Sequence, residues 1–390
     1  MNRNLIFVAL SLMVWGIGEG MFLLFQPLYL QQLGADPILI GAIIGMIGIA
    51  MTVSHLPAGY LADRLGRRPL MVSAWYLATI ATWVMALANS LAIFVLGSIL
   101  YGITAFVAGP MNSYITAARG KLPVGRALTL VSAIYNIGAI AGPLLGGWIG
   151  KQFGLQRNFL AAAAVFIVSS VLITLIRPQP IETPPSEEKS SRSSVLLNRR
   201  FLGFLALIFL TMFVLYLPQP LTVNFLQNER GLDLAQIGTL ISLRSVGVVI
   251  LSLGLGQLNS KLGFFLSQIA MGLFSVIIWK STTFPWYGMA YLLLGGFQTA
   301  RALAAAQGRA LVNAAYMGLA FGMIETVSAV SVILAPPLAG YLYSRQPEWI
   351  YIVSLAAIGV VILVSSWFLP RPESDEEVIE TSVYVKPEEE

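Results

Sequence analysis

Twelve long apolar stretches divide the chain, separated by short turns that hold most of the polar and charged residues. They fall at 5–30, 38–61, 70–88, 91–118, 127–150 and 158–176 in the first half. The second half gives 201–226, 235–258, 263–280, 286–306, 315–343 and 349–369. A helix crossing the hydrocarbon core of a bilayer needs about 20 mainly apolar residues, and each stretch is close to that. The pattern predicts an all-α membrane protein with twelve transmembrane helices, six in 1–176 and six in 201–369. Between them, 177–200 is rich in Pro, Ser and charge and reads as a flexible linker. The acidic segment 370–390 reads as a disordered tail.

Composition sharpens this picture. Hydrophobic residues make up 57% of the chain, charged residues 11%, and the mean hydropathy is +0.79. Eight charges lie in 177–200 and ten in 371–390, so the rest of the chain is too poor in charge to solvate a globular surface. Sixteen Lys and Arg fall in alternate loops with the termini, and five in the opposite set. That asymmetry places both termini in the cytoplasm of a multi-pass plasma-membrane protein. It also removes a nucleic-acid partner as the reason for the net charge of +5. The first apolar run is too long for a cleaved signal peptide and lacks a small-residue cleavage site, so it is expected to stay as the first helix.

Zero cysteines exclude disulfides and thiolate chemistry, and a single histidine excludes a histidine metal cluster. No phosphate-binding G-x-x-x-x-G-K-[ST] loop occurs, and no nucleophile–base set stands out. Neither a metal, a cofactor nor enzymatic activity is expected. The expected partners are the bilayer, a small-molecule substrate and protons, with the chain acting as a monomer.

The two halves are related. Gln26-Pro27-Leu28 recurs as Gln219-Pro220-Leu221, and Pro143 and Gly147 recur as Pro336 and Gly340, all 193 residues later. Gly34, Asp36 and Gly41 recur as Gly231, Asp233 and Gly238 at an offset of 197. Parallel six-helix repeats around a shared cavity are one of the architectures of secondary transporters.

One loop is distinctive. Gly59, Asp63, Arg64, Gly66, Arg67 and Arg68 fill every fixed position of G-x-x-x-D-R-x-G-R-R between the second and third stretches. This resembles the signature loop of the major facilitator superfamily of transporters, and it sits where that family places it. The resemblance spans about 5–369 and implies two pseudo-symmetric six-helix bundles that rock about a central site. It also implies that Gly59 and Asp63 latch the halves, supported by Arg64, Arg67 and Arg68, with Arg119 and Arg126 as candidate partners of Asp63. The positive helix end near Met317 is another. His55, one turn earlier, reads as packing.

The fifth stretch carries Gly138, Gly142, Pro143, Gly146 and Gly147. This G-x-x-x-G-P-x-x-G-G core resembles the motif of drug:proton antiporters, although the motif's earlier glycine is Thr129 here. Small residues with a proline also simply permit close helix packing. The fourth stretch has Ser98 where a proton-coupled member carries an arginine, four residues before Gly102.

Four ionisable residues lie deep in apolar stretches: Glu19, Arg244, Arg301 and Glu325. A charge at mid-bilayer costs about 2.5–3.5 kcal/mol even on lenient insertion scales, so each must face a cavity or a partner. Glu325 with Arg301 or Arg244 could form a structural pair. Glu19 has no cation nearby in sequence and is the leading proton or substrate group, with Glu325 second. Gln26, Asn112, Tyr114, Tyr135, Asn136, Tyr216, Gln219, Asn224 and Gln298 complete the candidate cavity residues.

The leading expectation is proton-coupled efflux of a small amphipathic compound by alternating access. Import of a sugar or organic anion, bound by Arg244 or Arg301, is the alternative, decided by whether those arginines are free or paired with Glu325. A non-transporting sensor with the same fold is the second alternative.

Overall fold

The computed structural model describes residues 3–179, 199–309 and 317–368, with side chains for all but 56–63, 309, 317–319 and 368. Most of the linker, the acidic tail and the side chains of Gly59 and Asp63 therefore lie outside the described residues. The described residues are helical, and eleven helices are long and apolar enough to cross a membrane.

In the first half, α1 runs Arg3–Phe22 and, after a 3-10 turn at Leu23–Phe25, continues as Gln26–Gln32. Helices α2 (Pro37–Leu65) and α3 (Arg67–Ala86) follow. Helix α4 is Leu91–Ile103, a 3-10 turn at Thr104–Val107, then Ala108–Ala118. Helices α5 (Val124–Phe153) and α6 (Leu155–Thr174) complete the half.

In the second half, α7 is Arg199–Tyr216 followed, after a turn, by Thr222–Asn228. Helices α8 (Leu234–Leu255) and α9 (Ser260–Lys280) are continuous. Helix α10 is split into Phe284–Leu293 and Gly296–Arg309. Helices α11 (Met317–Arg345) and α12 (Trp349–Phe368) end the described chain.

The count of eleven long helices, against the expected twelve, comes from α10. Its two pieces cover the expected stretch 286–306, but neither is long enough alone. The break falls at Leu294 and Gly295, and the second piece opens on Gly296; both glycines have weak helix propensity.

Interruption follows a rule of three: α1, α4, α7 and α10 are broken, and the other eight are not. Pro27 and Pro110 each lack the N–H that would close the preceding helical turn, and Pro218 and Pro220 do the same in α7. Proline alone does not decide it, because α5 and α11 run unbroken through Pro143, Pro336 and Pro337. Non-helical backbone at membrane depth is tolerated only where protein covers it or a cavity faces it. The interrupted backbone of these four helices must therefore be covered by protein or face a cavity.

The two bundles meet along two equivalent seams, α2 on α11 and α5 on α8. At the first, a side chain on Gly41 would collide with the carbonyl of Pro336, and one on Gly340 with that of Pro37. At the second, Gly238 meets the carbonyl of Pro143, and Gly147 that of Leu234. The glycines and prolines that reveal the repeat in the sequence are thus the ones that hold the halves together. Both seams tighten towards the end of the bundle away from the termini, called here the distal end.

Candidate functional site

Glu19 stands midway along α1 and is half-buried. Its Oε1 accepts a hydrogen bond from Tyr101 of α4 at 2.9 Å, and its Oε2 accepts one from Tyr135 of α5 at 2.6 Å. The acid makes no ion pair among the described residues. Gly16 positions the second donor: it lies directly beneath the Tyr135 carbonyl, so α5 approaches α1 where any side chain would collide. Rings of Trp15, Phe22 and Phe166 pack on Tyr101 and hold that donor, with centroids 5.0 Å apart for Phe22–Tyr101 and 5.9 Å for Tyr101–Phe166.

Arg244 is midway along α8, half-buried, with no hydrogen bond or ion pair among the described residues. The phenols of Tyr135, Tyr216 and Tyr291 lie within electrostatic range of its guanidinium. Gly247 contributes one of them, since the carbonyl of Leu292 presses on it and brings the preceding residue, Tyr291, alongside α8. Tyr216 closes the last turn before the break in α7 and packs on Phe297 at 5.4 Å.

Tyr135 is common to both charges. It donates to Glu19 of its own bundle and faces Arg244 of the other.

Arg301 and Glu325 are paired, with Nε of Arg301 donating to Oε2 of Glu325 at 3.1 Å and a second bond from its NH2. This settles the destination of that arginine, and leaves Arg244 the unpartnered one. The pair is partly exposed, at 36% and 50% of the two side chains, well inside α10 and α11.

The polar candidates divide into groups. Tyr135 and Tyr216 belong to the charged centre. Asn136 bonds within its own helix, to the Ser132 carbonyl at 2.8 Å, and Gln219 to that of Leu215 at 2.9 Å. Gln26 is buried against the sulfur of Met85 at 3.6 Å, inside the first bundle. Gln298 is half-buried and Asn112 exposed. Tyr114 leaves the centre altogether: it donates to the carbonyl of Arg177 at 2.7 Å, near the terminal end. Ser98 is buried and bonds to the carbonyl of Phe94 at 2.9 Å.

Asn224 belongs to a distal closure. Its Nδ2 donates to Oε1 of Gln31 at 2.6 Å and to the carbonyl of Pro27 at 3.2 Å. Asn228 adds a bond to the same Gln31 oxygen at 3.1 Å. Beside these, Lys151 at the end of α5 meets Asp233 at the start of α8 at 2.8 Å.

Of the loop residues, Arg68 donates to the carbonyls of Ile176 and Thr174 at 2.7 and 3.0 Å, and Arg67 to Gln179 at 3.3 Å. They pin the end of the first bundle. Arg119 donates to the Thr116 carbonyl at 2.8 Å. Arg64 is exposed and Gly66 takes a positive φ of 81° between α2 and α3. In α5, Gly138, Gly142 and Gly146 sit against the carbonyls of Met13, Ile17 and Met21, while Gly147 faces α8. That motif is a two-sided packing surface, with Pro143 in contact with both Gly20 and Gly238.

Sequence reasoning missed Tyr101, Tyr291, Gln31 and Lys151. Tyr101 had a signal, standing beside Gly102 in a helix already expected to line the centre. Gln31 had one as well, being 193 residues before Asn224, the offset of the repeat.

The family model for the Major Facilitator Superfamily matches residues 8–298 and 204–383. The chain belongs to this superfamily. Among curated relatives of this superfamily member, the class B tetracycline resistance protein of Escherichia coli is 22% identical over 408 residues. That match covers 98% of this chain and 100% of that protein. Multidrug resistance protein 2 of Bacillus subtilis is 23% identical over 394 residues, covering 93% and 94%. A solved structure of a variant of the nucleoside transporter NupG superposes with a TM-score of 0.85 at 14% identity, covering 94% of this chain and 100% of that one. At that identity the likeness establishes the fold alone. The expected resemblance to drug efflux members is borne out, and so is the all-helical transporter fold.

Proposed function

We propose that this superfamily member is a proton-coupled exporter of small amphipathic compounds working by alternating access. One observation carries the reading: Glu19, at the middle of a broken helix, has phenol donors on both oxygens and no cation of its own. Such a carboxyl can exchange a proton for a substrate without dismantling a salt bridge. The efflux relatives support export.

With the termini cytoplasmic, as the positive loops predict, the closed distal end faces outward. The described conformation is then the one that loads from the cytoplasm. Opening requires the Gln31–Asn224 and Lys151–Asp233 contacts to part while the opposite ends of the bundles close.

Import of an organic anion is the second reading, and the unpartnered Arg244 favours it. Transport in proteoliposomes decides between them. An inside-acid gradient should drive amphipaths into vesicles in which the exporter exchanges them for internal protons, and Glu19→Gln should abolish that accumulation. Gradient-independent uptake of an anion, unchanged by Glu19→Gln, would overturn the export reading.

A further inference from the structure

The arrangement of Glu19 and Arg244 carries more than a transport direction. Arg244 is a permanent cation at the middle of a membrane helix, with five N–H donors and none of them placed on an acceptor among the described residues. Its neighbours from α5, α7 and α10 are phenols, which are neutral and cannot balance its charge. Both acids inside the apolar stretches are already engaged: Glu325 is bonded to Arg301, and Glu19 accepts from Tyr101 and Tyr135. The fold therefore keeps one acid in the first bundle and one base in the second, with Tyr135 bonded to the acid and within electrostatic range of the base, and no ion pair between the two among the described residues. An unpaired intramembrane charge is ordinarily a site for something that arrives.

We propose that the substrate is a zwitterion built on an aromatic or apolar body. Its anionic group is received by Arg244 with Tyr216 and Tyr291, and its cationic group by the Glu19 carboxylate between Tyr101 and Tyr135. The substrate then spans the two bundles and gives each of the two charges a partner. Arrival of the cationic group displaces the proton from Glu19 to solvent, so substrate and proton compete, as exchange requires. A simple cation would leave Arg244 unsatisfied. A simple anion would bind best with Glu19 protonated, carrying proton and substrate the same way. Only the zwitterion uses both charges in exchange mode.

This rests on the exporter reading, and a matched ligand series separates the two. The probes are a piperazinyl-aryl carboxylic acid, its methyl ester and its N-acetyl derivative: zwitterion, cation and anion on one skeleton. Binding to purified full-length protein is measured by calorimetry, and movement in proteoliposomes by uptake. The zwitterion should bind about tenfold or more tightly than either derivative, the expected effect of one charge-assisted contact. Arg244→Gln should lower the zwitterion to the level of the ester and leave the ester unchanged. Glu19→Gln should lower it to the level of the acetyl compound.

Ester binding as tight as zwitterion binding in wild type would overturn the proposal, and that comparison needs no variant to fold. Transport of the ester against the gradient would then leave the exporter reading standing. Selective zwitterion binding without any transport would do the reverse, supporting the site while the exporter reading falls.

Discussion

Gln31 accepts a 2.6 Å hydrogen bond from Asn224, and the two residues occupy the same place in their respective halves, 193 positions apart. The pseudo-twofold axis thus runs close to this bond, at the distal end where α1 meets α7. A contact on the axis is where two rocking bundles must separate first.

The bond is part of a small polar cluster, so its loss should move a conformational equilibrium before it affects folding. Removing Asn224's amide forfeits about 1 kcal/mol, or several-fold in the closed-to-open ratio. The chain has no cysteine, so a single engineered one reports cleanly. Asn224→Ala should raise several-fold the rate at which an impermeant maleimide, added from outside, labels Gln219→Cys. An unchanged rate would remove this cluster from the gate.

The seams give a prediction whose sign changes with position. Gly41→Ala and Gly238→Ala each place a methyl group against a carbonyl oxygen and should destabilise the folded protein by about 1–3 kcal/mol. Gly203 and Gly359 lie in helices with nothing within 4 Å of a new methyl. There alanine should be neutral or stabilising by about 0.5–1 kcal/mol, because glycine is the poorer helix former. Thermal unfolding in detergent measures all four.

Asp233 does two jobs, accepting from Lys151 and capping α8 through the Gln236 N–H at 2.9 Å. Partial burial works to raise its pKa, but the Lys151 bond and the helix-end amides outweigh that and hold it below the ordinary 3.8. A depressed carboxyl contributes stability above its unfolded value, and that contribution goes only as pH falls through the lower folded value. Gating that depends on this contact should be flat from pH 5 upward. The bridge side chains are 47% and 38% exposed, so screening limits the pair to about 1 kcal/mol at most. Asp233→Ala, which also removes the cap, should cost more than Lys151→Ala in the same melting assay.

Arg301 and Glu325 should behave as a unit. Glu325→Gln strands a guanidinium and Arg301→Gln strands a carboxylate, while the double variant strands neither. Transport should be impaired by either single change and largely restored by both together. Failure of the double variant to recover would give Glu325 a role beyond partnering Arg301.

Much of this was readable from residue order, and the reasons differ by feature. The spans were legible because lipid demands long apolar runs, and the seams because Gly41, Gly238, Pro143 and Pro336 repeat at fixed offsets. The breaks in α1, α4, α7 and α10 were not, since proline interrupts α7 yet leaves α5 and α11 continuous. Tertiary packing decides which proline breaks a helix. Glu19 stood out as a buried acid without a local cation, but its partners did not. Tyr101 and Tyr135 come from 82 and 116 residues away, and no helical spacing relates them to α1. That Glu325 pairs with Arg301 and not with Arg244, the two options the sequence left open, likewise depends on which helices face one another.

The central claim is that Glu19 exchanges a proton for substrate. The most direct test adds the piperazinyl-aryl carboxylic acid to weakly buffered, detergent-purified protein and follows pH. Wild type should release about one proton per molecule bound, as linkage requires of competing ligands at one carboxyl. Glu19→Gln should release none. Equal release from both proteins, or substrate binding to wild type with no release, would contradict the account.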